Sequence, residues 1–213
     1  MRYLVIGAAG HAQEVAWALR VRESTERRGC DLVFFDDRIA PGPLASGLGE
    51  VRGPLDAVAE VAGEAESRLV LGLGLPRPKT RVVERFSSSG LAWETVIHPS
   101  AQVGPGVTIG EGSYVAAGAV VSVGVRIGRF ATINVHCGVA HDAVVGDFAS
   151  VHPNAHLAGG TVVGASCEIG SGAVAIQGVS IGPSAVLGAG AVAVRSLVGG
   201  RTYVGVPARE LRR

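Results

Sequence analysis

An aliphatic residue recurs at every sixth position through the second half of the chain. Seventeen positions follow this period, and fifteen of them are Ile, Val or Leu. They are Ile97, Val103, Ile109, Val115, Val121, Ile127, Ile133, Val139, Val145, Val151, Leu157, Val163, Ile169, Ala175, Ile181, Leu187 and Ala193. A six-residue repeat is the sequence signature of a parallel β-helix, in which three hexads form one triangular coil. The pattern therefore predicts about five to six coils whose repeat positions point into a narrow core.

Glycine often follows a repeat position directly, as at Gly110 and Gly128. Glycine adopts backbone conformations that other residues avoid, so we expect these glycines to supply the turn dihedrals of the coils.

The N-terminal third has a different pattern, in which apolar runs alternate with helical spacing. The expected strands are Tyr3 to Ile6, Asp31 to Phe35 and Arg68 to Gly72, and the expected helices follow Gly10 and cover Pro54 to Val61 and Thr80 to Phe86. Strands that alternate with helices indicate a small parallel sheet of Rossmann type.

In such a sheet, the glycine turn after the first strand lies at a helix N-terminus and can hold a phosphate. Gly7 and Gly10 supply part of that turn, but the full dinucleotide fingerprint is absent, which favours a nucleotide diphosphate over an NAD-type cofactor. Asp36 and Asp37 follow the second strand, where a carboxylate accepts hydrogen bonds from a ribose or base edge. The alternative for these two carboxylates is a solvated loop.

Charge divides the chain into two parts. Of its 37 Asp, Glu, Lys and Arg residues, only 12 follow Val96, which predicts one domain over residues 1–95 and a second over residues 96–213 with a short C-terminal cap. A net charge of +1 does not favour nucleic acid or an anionic membrane as a partner. Three cysteines without metal-ligand spacing predict free thiols in a reducing compartment. Since the chain has no long apolar span, we expect a cytoplasmic protein.

The coil period also predicts which residues stack on one another. Residues 18 apart lie in one column about 4.8 Å apart, so His141 stacks on Gly159, Asn134 on His152, and Asp142 on Gly160 and then Gly178. His141 is not a repeat position, so its ring should project outward over Gly159. An imidazole can take a proton from an attacking amine or hydroxyl, and a bare N–H can stabilise the oxyanion of a thioester. This pair predicts acyl transfer, with Asp142 and Asn134 orienting the ring or the acyl group.

Other interpretations remain open from the residues alone. A surface histidine on a β-helix is most often only polar cover, and the prism could be a non-enzymatic binding scaffold. His136 and His141 have the spacing of two zinc ligands in β-helix carbonic anhydrases, but the position of the third ligand holds Ser100. Zinc requires three protein ligands and a water, so we expect no metal.

Five segments together resemble one family over nearly the whole chain. They are Gly7-Ala8-Ala9-Gly10-His11, Phe35-Asp36-Asp37, Ile97-His98-Pro99-Ser100-Ala101, Val139 to Phe148, and Val204-Gly205-Val206-Pro207-Ala208-Arg209. The family is that of sialic-acid O-acetyltransferases and bacillosamine-pathway nucleotide-sugar N-acetyltransferases, within the hexapeptide-repeat acyltransferases. The resemblance implies a left-handed β-helix, a homotrimer, acetyl-CoA bound between neighbouring subunits, and a nucleotide sugar held partly by the N-terminal domain.

The resemblance also assigns roles to individual residues. His141 matches the general base, Asp142 its neighbouring carboxylate, Asn134 a residue near the acetyl group, and Gly159 the backbone donor to the thioester oxygen. Gly160 and Gly178 belong to the same acetyl-CoA groove, Ala189 and Gly190 match the pantetheine path, and Gly10, His11, Asp36 and Asp37 match the nucleotide-sugar site. The sequence departs from the bacillosamine branch at Asp142, which replaces a glutamate, and at Ser150, which replaces a histidine.

These observations predict acetyl transfer from acetyl-CoA to an amino or hydroxyl group of a sugar, most simply a nucleotide-linked amino sugar. The choice between amine and hydroxyl stays open, because His141 suits both acceptors.

Overall fold

In a computed structural model, which describes residues 1–211, the chain opens with a five-stranded sheet. Its strands are β1 (Arg2–Ile6), β2 (Asp31–Phe35), β3 (Gly42–Pro43), β4 (Glu50–Gly53) and β5 (Ser67–Leu71). They lie in the order β3-β4-β2-β1-β5, and every pairing is parallel except that of the edge strand β3 with β4. The helices are α1 (Gly10–Thr25), α2 (Val58–Ala62), which follows a short 3-10 turn, and α3 (Pro76–Arg85).

The three predicted strands and three predicted helices are all present, and two further strands were not predicted. β3 and β4 carry few apolar residues, and Val51 is the only one buried, so they lack the run that marks a buried strand. α3 begins at Pro76, four residues before the prediction. Proline suits the first helical turn because its missing N–H would have no partner there.

From Val96 onward the chain is a parallel β-helix with three walls. Wall 1 consists of β6 (Val96–Ile97), β9 (Tyr114–Val115), β12 (Thr132–Ile133), β15 (Ser150–Val151), β18 (Glu168–Ile169), β21 (Val186–Leu187), β23 (Thr202–Val204) and β24 (Arg209–Glu210). Wall 2 consists of β7 (Gln102–Val103), β10 (Val120–Val121), β13 (Gly138–Val139), β16 (His156–Leu157), β19 (Val174–Ala175) and β22 (Val192–Ala193). Wall 3 consists of β8 (Thr108–Ile109), β11 (Arg126–Ile127), β14 (Val144–Val145), β17 (Val162–Val163) and β20 (Ser180–Ile181). From β6 to β22 paired residues are 18 apart, as in Ile133 with Val151, so the predicted register is present.

The repeat positions form the core, except at the open end of the prism. From Val115 onward they are all buried, whereas Val103 in the first coil is 42% exposed and Ile97 and Ile109 are partly buried. At the other end Tyr203 and Ala208, from the C-terminal segment, pack against the core and close it. Residues 212 and 213 of the predicted second domain lie outside the described residues.

The glycines after the repeat positions do not supply the turns, so that prediction was wrong. A Cβ on Gly110 would lie 2.5 Å from the backbone N of Arg129 in the next coil, which means that these glycines permit close stacking of coils. The left-handed conformation instead falls on every sixth residue from 106 to 190. Several of those residues are not glycine, so the sequence did not reveal this second period.

The N-terminal part lies on wall 1. The outward residues Val96 and Tyr114 are buried in one apolar cluster with residues of α1 and the five-stranded sheet. Beside wall 1, the rings of Trp93 and Phe130 meet edge to face at 5.5 Å, and Phe130 stacks on Phe148 at 5.2 Å. Walls 2 and 3 therefore remain outside this contact. Over residues 1–211, no helix combines the length and the apolar character needed to cross a membrane.

Candidate active site

The predicted catalytic residues lie on the corner between walls 2 and 3, which we call corner 2–3 (residues 140–143, 158–161 and 176–179). Asp142, Gly160 and Gly178 occupy the same turn position in successive coils, with φ of 60°, 66° and 72°. Aspartate is one of the few residues that tolerates this left-handed conformation. The turn can therefore place a carboxylate next to His141 without changing the backbone path.

The His141 imidazole is held by its neighbour. Nδ1 of His141 lies 2.8 Å from Oδ2 of Asp142, and the two side chains are 60% and 75% exposed. A carboxylate at this distance favours the tautomer whose proton is on Nδ1, which leaves a lone pair on Nε2. Nε2 is then available to accept a proton from a bound acceptor.

The free nitrogen of this ring lies over Gly159, in the next coil. A Cβ on Gly159 would lie 2.5 Å from Nε2 and 2.7 Å from Cε1 of His141, so the ring occupies space that only glycine leaves open. No backbone carbonyl within residues 1–211 accepts a hydrogen bond from the Gly159 N–H. The column prediction is thus matched in position: an imidazole nitrogen and an unused backbone donor occupy consecutive coils of one corner.

A shallow groove of about 460 Å³ crosses wall 2 beside His141. It reaches from His141 to His136 on the opposite edge of the wall and is lined by Cys137 and Gly138 between them. Gly138 is the outward residue of β13, and the His156 ring leans over it from the coil above. The His156 ring therefore fills the space that a side chain at position 138 would occupy, and both residues line the groove.

The remaining predicted acetyl-CoA residues divide between two edges of wall 2. Gly160 and Gly178 lie on corner 2–3, with open space where a Cβ would point. Asn134, Ala189 and Gly190 lie on the corner between walls 1 and 2 (residues 134–137, 152–155, 170–173 and 188–191), which we call corner 1–2. Within one chain the structure therefore does not bring Asn134 beside His141, since the width of wall 2 separates them.

A second cavity of about 460 Å³ lies at the carboxyl ends of β1 and β2. Its lining is Ile6, Gly7, Ala9, Asp36, Asp37, Arg38, Ile39, Leu55, Leu73, Pro78 and Val82. Most of these side chains are apolar, which suits a flat base or sugar ring. The cavity lies where a sheet of this type binds nucleotides.

The two aspartates that line this cavity also accept hydrogen bonds from backbone N–H groups. Asp36 accepts hydrogen bonds from the N–H groups of Ala8 at 2.9 Å and Arg38 at 2.8 Å, so it joins the glycine loop to the end of β2. Asp37 accepts from the N–H of Leu55 at 2.9 Å and lies 3.2 Å from the Arg85 guanidinium. Both carboxylates shape the cavity, which the sequence did not reveal.

Neither of the other two predicted nucleotide-sugar residues lines the cavity, although Gly10 directly follows the lining residue Ala9. Gly10 begins α1, whose N-cap residue Ala9 makes no side-chain cap. The His11 ring instead packs edge to face against Tyr114 at 5.8 Å and touches Gly74, and burial lowers its pKa. Because α1 turns His11 toward wall 1, the residue contacts the β-helix rather than Asp36.

Sequence reasoning missed Lys79, which is 0% exposed and lies between α3 and wall 1. A signal was present, because Lys79 precedes Val82, Val83 and Phe86 by three, four and seven residues and so falls on the apolar face of α3.

Comparison with known proteins agrees with this geometry. The model of the bacterial transferase hexapeptide family (six repeats) matches residues 94–122. A search of curated proteins finds no match. Among solved structures, the H141N variant of perosamine N-acetyltransferase from Caulobacter crescentus, in complex with CoA and GDP-perosamine, is 32% identical with a TM-score of 0.90. The match covers 100% of this chain and 98% of that one.

Two further structures are similar over nearly the full length. The acetyltransferase domain of PglB from Neisseria gonorrhoeae is 32% identical, with a TM-score of 0.88 and 99% of each chain covered. WeeI from Acinetobacter baumannii is 28% identical, with a TM-score of 0.88, and the match covers 99% of this chain and 100% of that one. The chain belongs to the family of nucleotide-sugar N-acetyltransferases with hexapeptide repeats.

Membership of this N-acetyltransferase family does not favour the zinc hydratase or the scaffold as alternatives. Within residues 1–211, no group of three or more His, Cys, Asp or Glu side chains is placed to hold a metal ion.

Proposed function

We propose that this protein transfers the acetyl group of acetyl-CoA to the amino group of a nucleotide-linked amino sugar. The observation that carries the proposal is the His141 imidazole, held by Asp142 at 2.8 Å, with Nε2 directed over Gly159. The resemblance of the whole chain to N-acetyltransferases favours an amine over a hydroxyl acceptor. Structures of H141N and H141A variants of the Caulobacter crescentus relative support a role for a histidine in that enzyme.

In the proposed reaction, the acceptor enters as a neutral amine. Its nitrogen attacks the thioester carbonyl carbon, and Nε2 of His141 takes the proton that the amine loses as the C–N bond forms. Asp142 stabilises the imidazolium, and the Gly159 N–H donates to the oxyanion. When the C–S bond breaks, the imidazolium returns the proton to the departing CoA thiolate, which leaves an amide and free CoA.

The cavity at the ends of β1 and β2 is the proposed nucleotide site. The uncapped N-terminus of α1, at Ala9 and Gly10, would bind the diphosphate through free N–H groups. The apolar wall of Leu73, Pro78 and Val82 would contact the base. We include Asp36 as a ribose or base contact, since its carboxylate retains acceptor capacity beyond its backbone bonds.

Assembly is the next part of the proposal. The nucleotide cavity belongs to the part that covers wall 1, whereas His141 lies on the corner opposite that wall. A homotrimer of left-handed prisms, as the family resemblance implies, would bring corner 1–2 of one subunit to corner 2–3 of another. Asn134, Ala189 and Gly190 would then meet acetyl-CoA across the interface. The exposed Val120 and Val162 on walls 2 and 3, each more than 40% exposed in the single chain, support burial by neighbouring subunits.

The division into a nucleotide-sugar domain over residues 1–95 and an acyltransferase domain from residue 96 belongs to the same proposal. So does a cytoplasmic location, which suits the three free cysteines.

A CoA-release assay tests the function directly. Purified protein is incubated with acetyl-CoA and a panel of UDP-, dTDP- and GDP-linked amino sugars, with free sialic acid as the hydroxyl acceptor. We expect CoA release with at least one nucleotide-linked amino sugar and an acetamide in the product by mass spectrometry. The proposal would be contradicted if only sialic acid supported CoA release, or if no acceptor in the panel did. Light scattering on the same sample should give the mass of three chains.

A further inference from the structure

Lys79 makes an unusual contact for a buried lysine. Its ammonium donates hydrogen bonds to the carbonyl oxygens of Phe130 at 3.1 Å and Ala149 at 3.3 Å and to Oγ1 of Thr132 at 2.9 Å. All three acceptors belong to wall 1 or to the corner before it. Within residues 1–211 no carboxylate lies close enough to form an ion pair with Nζ. Burial lowers the pKa of Lys79 to about 7, which means that desolvation of the charged ammonium costs free energy at this site.

Simple packing does not require such a group. A buried methionine or leucine would fill the space between α3 and wall 1 without desolvating an ammonium, and such replacements are often neutral or stabilising. The lysine adds a defined position, because three acceptors in two successive coils surround its nitrogen. These three bonds tie α3 to wall 1.

The face of α3 next to Lys79 lines the nucleotide cavity. Pro78 and Val82, on either side of Lys79 in the helix, line it, as does Leu73 in the preceding loop. That loop has its own bond to wall 1, from Oγ of Ser150 to the carbonyl oxygen of Gly74 at 2.7 Å. One whole wall of the cavity is thus held by hydrogen bonds to the strands β12 and β15.

We propose that Lys79 is a positioning residue for acetyl transfer: it fixes the α3 wall of the nucleotide cavity relative to the β-helix that carries His141. This inference rests on the proposed function. A substrate bound in the cavity reaches the catalytic corner only if the two parts keep a fixed relative position, and a displacement of about 1 Å can cost a hundredfold in rate. Acetyl-CoA binding should not depend on Lys79, since its proposed groove lies on wall 2.

The variant Lys79→Met tests this proposal. We expect kcat/KM for the nucleotide sugar to fall at least about tenfold, while KM for acetyl-CoA and the affinity for CoA stay within about twofold of wild type. Glu84→Ala, on the exposed face of the same helix, is the matched control and should change neither value. A general structural defect would instead weaken both substrates together, and that result, or an unchanged kcat/KM for the sugar, would overturn the assignment.

Two further variants keep the test decisive if Lys79→Met does not fold. Ser150→Ala removes the bond to Gly74, and Thr132→Val removes one acceptor of the ammonium; each should raise KM for the nucleotide sugar severalfold with KM for acetyl-CoA unchanged. No change in either variant would also overturn the inference. A wild-type enzyme that is inactive with every nucleotide sugar would instead contradict the proposed function, and nucleotide affinity by calorimetry would then decide the role of Lys79 separately.

Discussion

Replacing Gly159 by alanine should slow catalysis strongly while leaving the protein folded. The backbone at Gly159 is outside the left-handed region, so alanine can adopt its conformation. The new methyl carbon would lie 2.5 Å from Nε2 of His141, whereas ordinary contacts begin at 3.4 Å, so the ring must retreat by about 0.9 Å. The ring is 60% exposed and free to do so, which means that the strain is relieved at little cost in stability.

The expected loss of activity follows from that displacement. A shift of about 1 Å in a catalytic group costs on the order of a hundredfold in rate, and the methyl also occupies the space beside the oxyanion donor. We therefore expect kcat of Gly159→Ala to fall about a hundredfold in the CoA-release assay, with the melting temperature within a few degrees of wild type. Adding Gly159→Ala to His141→Ala should cost much less than a hundredfold, because the displacement of the ring no longer matters once the ring is removed.

The control is Gly29→Ala, which also avoids the left-handed region and has no atom within 4 Å of its would-be Cβ. It should keep wild-type kcat. If Gly159→Ala retains more than half of the wild-type kcat, Nε2 of His141 does not act from its position over residue 159. A loss of activity that comes with dissociation of the oligomer would likewise refute the reasoning, since the effect would then be structural.

Three other outcomes follow from the same structure. His141→Ala should lower kcat at least about a hundredfold with CoA affinity unchanged by calorimetry, and near-normal turnover would remove His141 from the role of general base. Ala9→Asp should have opposite effects on stability and on binding. The aspartate caps α1 and so raises the melting temperature, while its negative charge at the proposed diphosphate site weakens nucleotide binding at least about tenfold. Unchanged nucleotide binding would place the diphosphate elsewhere. Because burial holds the pKa of Lys79 near 7, below the usual value of about 10.4, the unfolded chain binds the extra proton between these values and stability rises with pH. The free energy of unfolding of wild type minus that of Lys79→Met should rise by roughly 1 kcal/mol from pH 7.5 to 8.5. Glu168 and His11 are the charged or titratable neighbours whose contributions need the same check. A difference that does not change with pH would show that Lys79 is not desolvated.

The β-helix was predictable because its sequence period and its geometric period are the same. Ile133 and Val151 are both core residues and direct neighbours in wall 1, so one count along the chain gives burial and contact together. The stacking of His141 on Gly159 follows from the same count. No comparable period connects residues of the N-terminal part. There the strands β3 and β4 were not predicted, because they lack an apolar run.

The contacts between the two parts were beyond reach from the sequence. Lys79 meets acceptors 51 to 70 residues away, and Ser150 meets Gly74 across 76 residues. No periodicity links such positions. For the same reason His11 was assigned to the nucleotide site from its motif alone, although α1 directs it to Tyr114.

The second six-residue period, that of the left-handed turns, explains where a β-helix of this kind can place chemistry. Every sixth residue from 106 to 190 has a positive φ, a conformation that costs non-glycine residues roughly 1 kcal/mol or more. A residue other than glycine persists there when its side chain gains something in return. Phe130 and Phe148 pack beside wall 1 against the N-terminal part, and Asp142 holds the His141 imidazole, the proposed general base. Left-handed turns can therefore carry side chains for docking and for chemistry, beside the outward strand positions of wall 1 that also contact the N-terminal part.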